Sequence, residues 1–297
     1  MATVREAGSR WESLAVHVLL VAACAFAVYP LLWVVTLALS PTGPGASARL
    51  IPLATAPSFD NFRTVLGWGA SAEGATAQGE LGPAWLFALQ AVNSLVVSLS
   101  TAGVALLIAT PAAYALARFR FVGARGGVRA LLATQMFPAV ASAVPLYILL
   151  DALHLLDSRA GLVLVYASTA VPFAIFQMRG AFLAIPVDIE EAAMVDGASR
   201  ARAFWHVVLP AARPALAVTA LFAFMSAWNE FILAATLLSR KSAYTLPVVI
   251  QSYVQEQSTA WGPFAAGAIL VSAPVMALFY VAQRQLVSGL TQGGVKG

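Results

Sequence analysis

The sequence predicts an all-α membrane protein with six transmembrane helices, and three observations carry that prediction. Of 297 residues, 60% are hydrophobic and 10% are charged. An average soluble domain is about half apolar and about a quarter charged. Six stretches approach the roughly 20 apolar residues that a helix needs to cross a bilayer. The basic residues collect in alternate connections between those stretches, which is a topology signal and not a nucleic-acid patch.

The first stretch, 14–39, is too long for the apolar core of a typical cleaved signal peptide and reads as a retained helix. It holds Cys24, the one cysteine of the chain. One cysteine excludes an internal disulfide and a multi-cysteine metal site, so Cys24 reads as a small packing residue. The connection 40–84 is long, rich in Gly, Pro, Ala and Ser, and poor in charge. The second stretch, 86–116, carries Gln90 and Asn93. The third, 130–150, carries Gln135 together with Pro138 and Pro145, at which kinks are expected. The fourth, 161–177, is the shortest. The fifth, 216–237, contains Glu230, the only acidic residue within any of these stretches. At 1.5 Å per residue from Pro210, Glu230 is expected near the outer end of its helix, either as an interfacial carboxylate or as a functional group. The sixth stretch is 264–281. The chain therefore divides into 1–85, a first span with a long extracytoplasmic loop, and 86–297, a transmembrane core with a cytoplasmic loop at 185–214.

Placing the N-terminus inside assigns Arg5, Arg10, Arg118, Arg120, Arg125, Arg129, Arg179, Arg200, Arg202, Arg213, Arg284 and Lys296 to the cytoplasm. That is twelve of the seventeen basic residues, so both termini are expected to be cytoplasmic.

The connection before the fifth stretch is unlike an ordinary membrane loop. Pro186 suits the start of a helix, where its missing N–H has no intrahelical partner. Asp188, Glu190 and Glu191 follow, and acids in a first turn favour the helix dipole. Ala192, Ala193 and Met194 are good helix formers, and Gly197 supplies a stop or a tight turn. A second amphipathic stretch over 199–208 sets Phe204, Val207 and Val208 against Arg200 and Arg202. Pro210 and Pro214 then open the next span. The spacing predicts a short amphipathic helix–turn–helix between the fourth and fifth spans. On composition alone it could equally rest on headgroups.

Glu191-Ala192-Ala193, Gly197, Val207, Leu209 and Pro210 resemble the EAA signature of ABC importer permeases. The spacing agrees throughout, and Val207 for the usual Ile is the one departure. In that family the loop is a coupling helix that docks on a separate ATP-hydrolysing subunit. The resemblance therefore implies a coupling role for Glu190, Glu191, Ala192, Ala193 and Gly197, with Val207, Leu209 and Pro210 shaping the return to the membrane. Small Ala side chains suit packing into a groove, and Glu190 and Glu191 are expected to meet donors on the partner. The likeness extends over about 93–297. Gln135-Met136-Phe137-Pro138, Trp228-Asn229-Glu230-Phe231, Thr245-Leu246-Pro247 and the Gly-rich end from Gly289 to Gly297 look like the carbohydrate branch of the family. The end of the chain is similar to MalG-like subunits of maltose and maltodextrin importers.

The resemblance implies one half of a sugar-translocating pore in a bacterial cytoplasmic (inner) membrane. Its partners would be a homologous permease subunit, two ATPase subunits and an extracytoplasmic sugar-binding protein. ATP and Mg would sit on the ATPases, with no cofactor or metal on this chain and no nucleic acid. Gln135, Trp228, Asn229 and Glu230 become candidates for the translocation path, because sugars are held by hydrogen bonds and aromatic stacking. Trp228 in an interfacial aromatic belt is the plain alternative. No Gly-x-x-x-x-Gly-Lys-Ser/Thr, His-Glu-x-x-His or Gly-x-Ser-x-Gly sequence occurs, which weighs against an ATPase, a zinc protease or an esterase. An ion-coupled carrier would want several charges at mid-membrane depth, and a membrane enzyme would want clustered polar groups at one face. Neither pattern is present, and an importer of another oligosaccharide or a polyol stays open.

Overall fold

In the computed structural model, residues 10–40, 56–68, 83–254 and 260–294 are described, and among them every regular segment is helical. Residues 41–55 and 69–82 of the first connection, and 295–297 of the tail, lie outside the described residues. The chain forms two compact units. One comprises Met1–Ala84 and Ser252–Leu270, and the other Trp85–Gln251 and Val271–Gly297.

In the first unit, α1 (Arg10–Leu39) is apolar on all sides and its central stretch buries nothing within this chain. A helix of that kind has lipid or another protein as its surroundings. Its C-terminal carbonyls have no intrahelical donors. The side-chain amide of Asn61, on α2 (Asp60–Leu66), donates to Ala38 O at 3.0 Å and Ser40 O at 2.6 Å. Asn61 is wholly buried, and Gly262 lies so close that any Cβ there would collide with its amide.

In the second unit the long helices are α3 (Pro83–Arg118) and α6 (Arg159–Ala184), a short α12 (Leu246–Gln251) follows later, and α13 (Trp261–Gly294) ends there. Of the apolar helices, α6 is the most enclosed by its own chain. Its stripe Ala170, Ala174, Met178 and Phe182 follows the spacing of four that keeps residues on one helical face. It joins a core with Ala105, Ala109 and Ala113 of α3. Small residues at that spacing let helices approach closely in a membrane. A second cluster, with Leu150, Leu162, Val165, Leu233 and Leu237, fills the other end of the unit.

Two of the expected spans are not continuous helices. The stretch 130–150 is split between α4 (Ala124–Thr134) and α5 (Ala139–Ala152). Pro138 stands at the start of α5 with extended backbone, and a proline biases the residue before it away from helix. Gln135-Met136-Phe137-Pro138 is thus a break and not a kink, whereas Pro145 lies inside α5. The stretch 216–237 is likewise split, between α10 (Arg213–Trp228) and α11 (Ile232–Leu237). Among the described residues, four helices are long and apolar enough to cross a membrane unbroken, and a fifth if the pair Arg200–Ala211 and Arg213–Trp228, bent by 74°, is one span.

Candidate functional site

The segment 185–214 forms α7 (Val187–Val195), a turn at Gly197, α8 (Arg200–Ala203), a π-helical turn (Phe204–Val208) and α9 (Leu209–Ala211), then enters α10. Pro186 caps α7 in extended conformation and does not occupy its first turn. The C-terminus of α7 is closed by paired bonds, from Gly197 N to Met194 O at 3.1 Å and from Ala198 N to Ala193 O at 3.0 Å. That pairing requires a left-handed residue, and Gly197 has φ +89°. A Cβ on Gly197 would meet no atom within 4 Å, so backbone conformation alone demands glycine there.

Glu190 and Glu191 do not face the same way. Glu191 and Ala192 are exposed, and Ala193 is half-buried, whereas Glu190 is 2% exposed. The expectation that both carboxylates face a partner is therefore corrected for Glu190. Its Oε1 accepts from the Tyr114 hydroxyl and its Oε2 from Arg118 Nε at 3.0 Å. Arg118 also donates through a second guanidinium nitrogen to Ile185 O at 2.9 Å. Tyr114 and Arg118 are four apart on α3, so one helical face presents both donors. The carboxylate is held this way because a buried charge is tolerable only when paired and hydrogen-bonded.

Aromatic rings reinforce the joint. Tyr114 packs on Phe119, Phe182 and Phe204, with ring centroids 4.5 Å apart for the Phe204 pair. Arg200 lies 5.1 Å from the centre of the Phe119 ring, within cation–π range. The second half of the loop is tied to the same place, since Val208 is fully buried and Val207, Leu209 and Pro210 are half-buried. Pro210 has no N–H to give the His206 carbonyl. The chain there takes the wider π turn, in which Leu209 N bonds Phe204 O. What α7 leaves outward is Glu191, Ala192, Val195 (86% exposed) and Ile189. The loop is fastened to α3 and α6, and its outer face mixes the acidic Asp188 and Glu191 with small and apolar residues.

Of the four translocation-path candidates, three are consecutive at the end of α10, and Gln135 and Glu230 bond residues three apart on α6, Thr169 and Tyr166. Trp228 is 2% exposed and stacks on Phe224 with ring centroids 5.4 Å apart. Gln135 is exposed and donates through Nε2 to Thr169 O at 2.9 Å. Asn229 is exposed at the end of α10. Glu230 sits at the break between helices and not on a continuing span. It accepts from Leu233 N at 2.9 Å and Ala234 N at 3.1 Å, capping α11, and from the Tyr166 hydroxyl at 2.9 Å.

The opposite end of the second unit holds a polar set that the residue pattern did not reveal. Asn93 donates to Ser242 O at 2.8 Å and Tyr244 O at 3.0 Å, and accepts from Arg159 Nε at 2.8 Å. Gln90 donates to Lys241 O, and Ser94 Oγ accepts from Leu246 N. Asp157 Oδ1 accepts from Ser239 N at 2.6 Å and Arg240 N at 2.9 Å. For Arg118 and Tyr114 a signal did exist, namely a helical pair four apart ending a span beside a loop rich in acids. For Asn93 the partners are backbone carbonyls about 150 residues away, which leave no trace in residue type.

The chain is similar to several known proteins. The profile of the family described as binding-protein-dependent transport system inner membrane component matches residues 105–292. The chain is 37% identical over 309 aligned positions to the maltose/maltodextrin transport system permease protein MalG of Photorhabdus laumondii, covering all of both chains. It is 36% identical over 276 to the trehalose transport system permease protein SugB of Mycobacterium tuberculosis, covering 92% of this chain and 93% of that one. Among solved structures, a chain of a bacterial ABC transporter that imports the acidic polysaccharide alginate superposes with a TM-score of 0.73 at 25% identity. The match covers 93% of this chain and 97% of the other.

Proposed function

The chain belongs to the binding-protein-dependent transport system inner membrane component family, as a multi-pass permease subunit of an ABC importer, and from that premise we propose that its cargo is a neutral di- or oligosaccharide. Membership sets aside the ion-coupled carrier and the membrane enzyme. Maltose/maltodextrin and trehalose, named for two relatives of near-equal identity, are both glucose sugars, and they support the class without choosing a member.

In this reading the chain crosses a bacterial cytoplasmic membrane six times with both termini inside. The two broken segments, α4–α5 and α10–α11, each count as one crossing. The grouping of polar contacts supports this. Connections that the positive-inside rule assigns to the outside, around Asp157 and Arg240, bond to each other, and those assigned to the inside, around Arg118 and Ile185, do likewise. The chain forms half of a pore with a homologous permease and receives sugar from an extracytoplasmic binding protein. It rides on two ATPase subunits that hold ATP and Mg. The outward face of α7 (Glu191, Ala192), with the half-buried Ala193 beside it, is the docking surface. Closure of the ATPases on nucleotide moves α7, and Glu190 with its partners carries that movement to α3. Gln135, Trp228, Asn229 and Glu230 mark the helix breaks along the path.

The carrying observation is the coupling segment with its left-handed Gly197 and inward Glu190. Its test is uptake of radiolabelled maltose, trehalose and a maltooligosaccharide by cells with and without the chain. Gly197→Pro demands φ near −65° where the turn has +89° and removes the N–H bonded to Met194. We expect it to stay inserted, keep its ATPase partners on purification and lose uptake. Gly197→Ala pays only left-handed strain of about 1–2 kcal/mol and keeps partial uptake. Normal uptake in Gly197→Pro refutes the coupling role, and unchanged uptake of all three sugars on deletion moves the screen to other oligosaccharides and polyols.

A further inference from the structure

Two adjoining cavities lie where α3, α4 and α6 meet. The first, about 760 Å³, is lined by Arg120, Arg129 and Arg179, with no acidic residue among its walls. The second, about 500 Å³, is almost wholly apolar and is bounded by Ala112, Leu131 and Ile175 among others. Leu116 and Phe121 line both, so the basic pocket and the apolar groove share a wall. Neither cavity contains any of the coupling or translocation-path candidates. Of the three arginines, Arg179 has one protein acceptor, Leu116 O at 3.4 Å, a long and weak bond.

We propose that this pair of cavities is a binding site for one anionic phospholipid. Its phosphate would be held by Arg120, Arg129 and Arg179, and one acyl chain would lie along the groove between α3 and α4. Guanidinium groups form charge-assisted, often bidentate, bonds with phosphate oxygens. Basic pockets between helices at the cytoplasmic face are where anionic headgroups are recognised. The contiguous apolar groove is what separates a lipid from a free anion, since inorganic phosphate has nothing to place there. The site also accounts for α4, an amphipathic half-span that is broken from α5 at Gln135–Pro138 and has its main helix contact with α6. A lipid wedged beside it would fill the space that side chains do not. The proposal rests on the cytoplasmic placement of this end in the topology given above.

The test uses the assembled complex, purified with its permease and ATPase partners. It is reconstituted in nanodiscs of phosphatidylcholine with a minor share of phosphatidylglycerol, then stripped with detergent, and the retained lipid is measured by mass spectrometry. Retention of phosphatidylglycerol over phosphatidylcholine is expected. Removing the exposed arginines as Arg120→Gln and Arg129→Gln should weaken it by about tenfold each, the equivalent of one charge-assisted hydrogen bond. Leu131→Trp, which fills the groove without altering charge, should weaken it as well. Loss with the arginine variants but not with Leu131→Trp, together with displacement by inorganic phosphate, identifies a free-anion site and overturns the lipid. Equal retention of both lipids in all variants overturns it too, as does crosslinking of Arg120→Cys to a partner subunit in the complex. Labelling of Arg120→Cys in intact cells by a membrane-impermeant maleimide reports separately on topology. Reaction from outside removes the cytoplasmic placement, whatever the lipid result.

Discussion

The two ends of the second unit are both fastened by buried polar side chains, and the fastenings differ in kind. At the coupling end, one ionised carboxylate, Glu190, meets the Arg118 guanidinium and the Tyr114 hydroxyl, with both charged side chains 5% exposed or less. At the opposite end, the neutral amide of Asn93 bridges two backbone carbonyls and one arginine. An ionic joint holds only while both partners are present and correctly placed, because either charge alone is stranded without water. An amide on carbonyls is weaker per contact but demands no charge balance. In the proposed arrangement, a joint that transmits movement from a docked ATPase gains from being all-or-none, whereas the other end has only to keep α3 and two connections together.

The largest effect expected from this contrast is at Glu190. Glu190→Ala leaves Arg118 buried and unpaired, at a cost of about 3–5 kcal/mol. It should show as a lowered thermal midpoint and reduced abundance of the purified complex. The double change Glu190→Leu with Arg118→Met removes both charges and should recover most of that loss. It would not recover all of it, since the bond from Arg118 to Ile185 O is gone. A recovered fold with poor coupling of ATP hydrolysis to uptake would sharpen the contrast. A double variant as unstable as the single one would mean that packing of the aromatic rings, and not the ion pair, holds α7.

Asn93 comes next. Asn93→Leu leaves the carbonyls of Ser242 and Tyr244 and one Arg159 N–H without their partner, worth about 1–3 kcal/mol. The thermal midpoint should fall by less than for Glu190→Ala, and the ratio of transport to ATP hydrolysis in the surviving complex should stay at the wild-type value. A larger loss than that of Glu190→Ala, or uncoupling, would break the contrast between the ends.

These two sites also mark how far the sequence could be read. The helix–turn–helix, its glycine and its returning prolines were legible because each follows from local backbone chemistry at fixed spacing. The inward turn of Glu190 was not, because adjacent residues on a nine-residue helix point about 100° apart and only the third partner, α3, decides which one is inside. The breaks at 135–138 and 229–231 were hidden by the high mean hydropathy of the stretches around them. Hydropathy reports where a chain can lie in lipid, and it is blind to whether the backbone stays helical there. Pro138 offered a warning of the first break. Asn229-Glu230 offered one of the second, since polar side chains can take over backbone donors that a helix would otherwise bond itself.

The smallest effect is expected at Glu230, and it separates two roles that coincide in one side chain. As a cap, Glu230 satisfies the N–H groups of Leu233 and Ala234 at the start of α11, where a negative charge is favoured. Glu230→Gln keeps one carbonyl oxygen for those donors and for Tyr166, so the loss should be about 0.5–1 kcal/mol, within the range for a weakened cap. Glu230→Ala removes all three acceptor contacts and should cost more. If capping is the whole of its work, sugar uptake will follow stability through the series, with Gln near wild type and Ala below it. If the carboxylate also meets sugar hydroxyls at the break, Gln will keep the thermal midpoint and still lose uptake. Asn229→Ala would then do the same, because Asn229 is exposed beside it, and its backbone N–H, not its side chain, makes the bond to Met225 O. At a capped helix break that also lay on the sugar path, structure and passage would fall on the same atoms, and only variants that hold one readout fixed can tell the two apart.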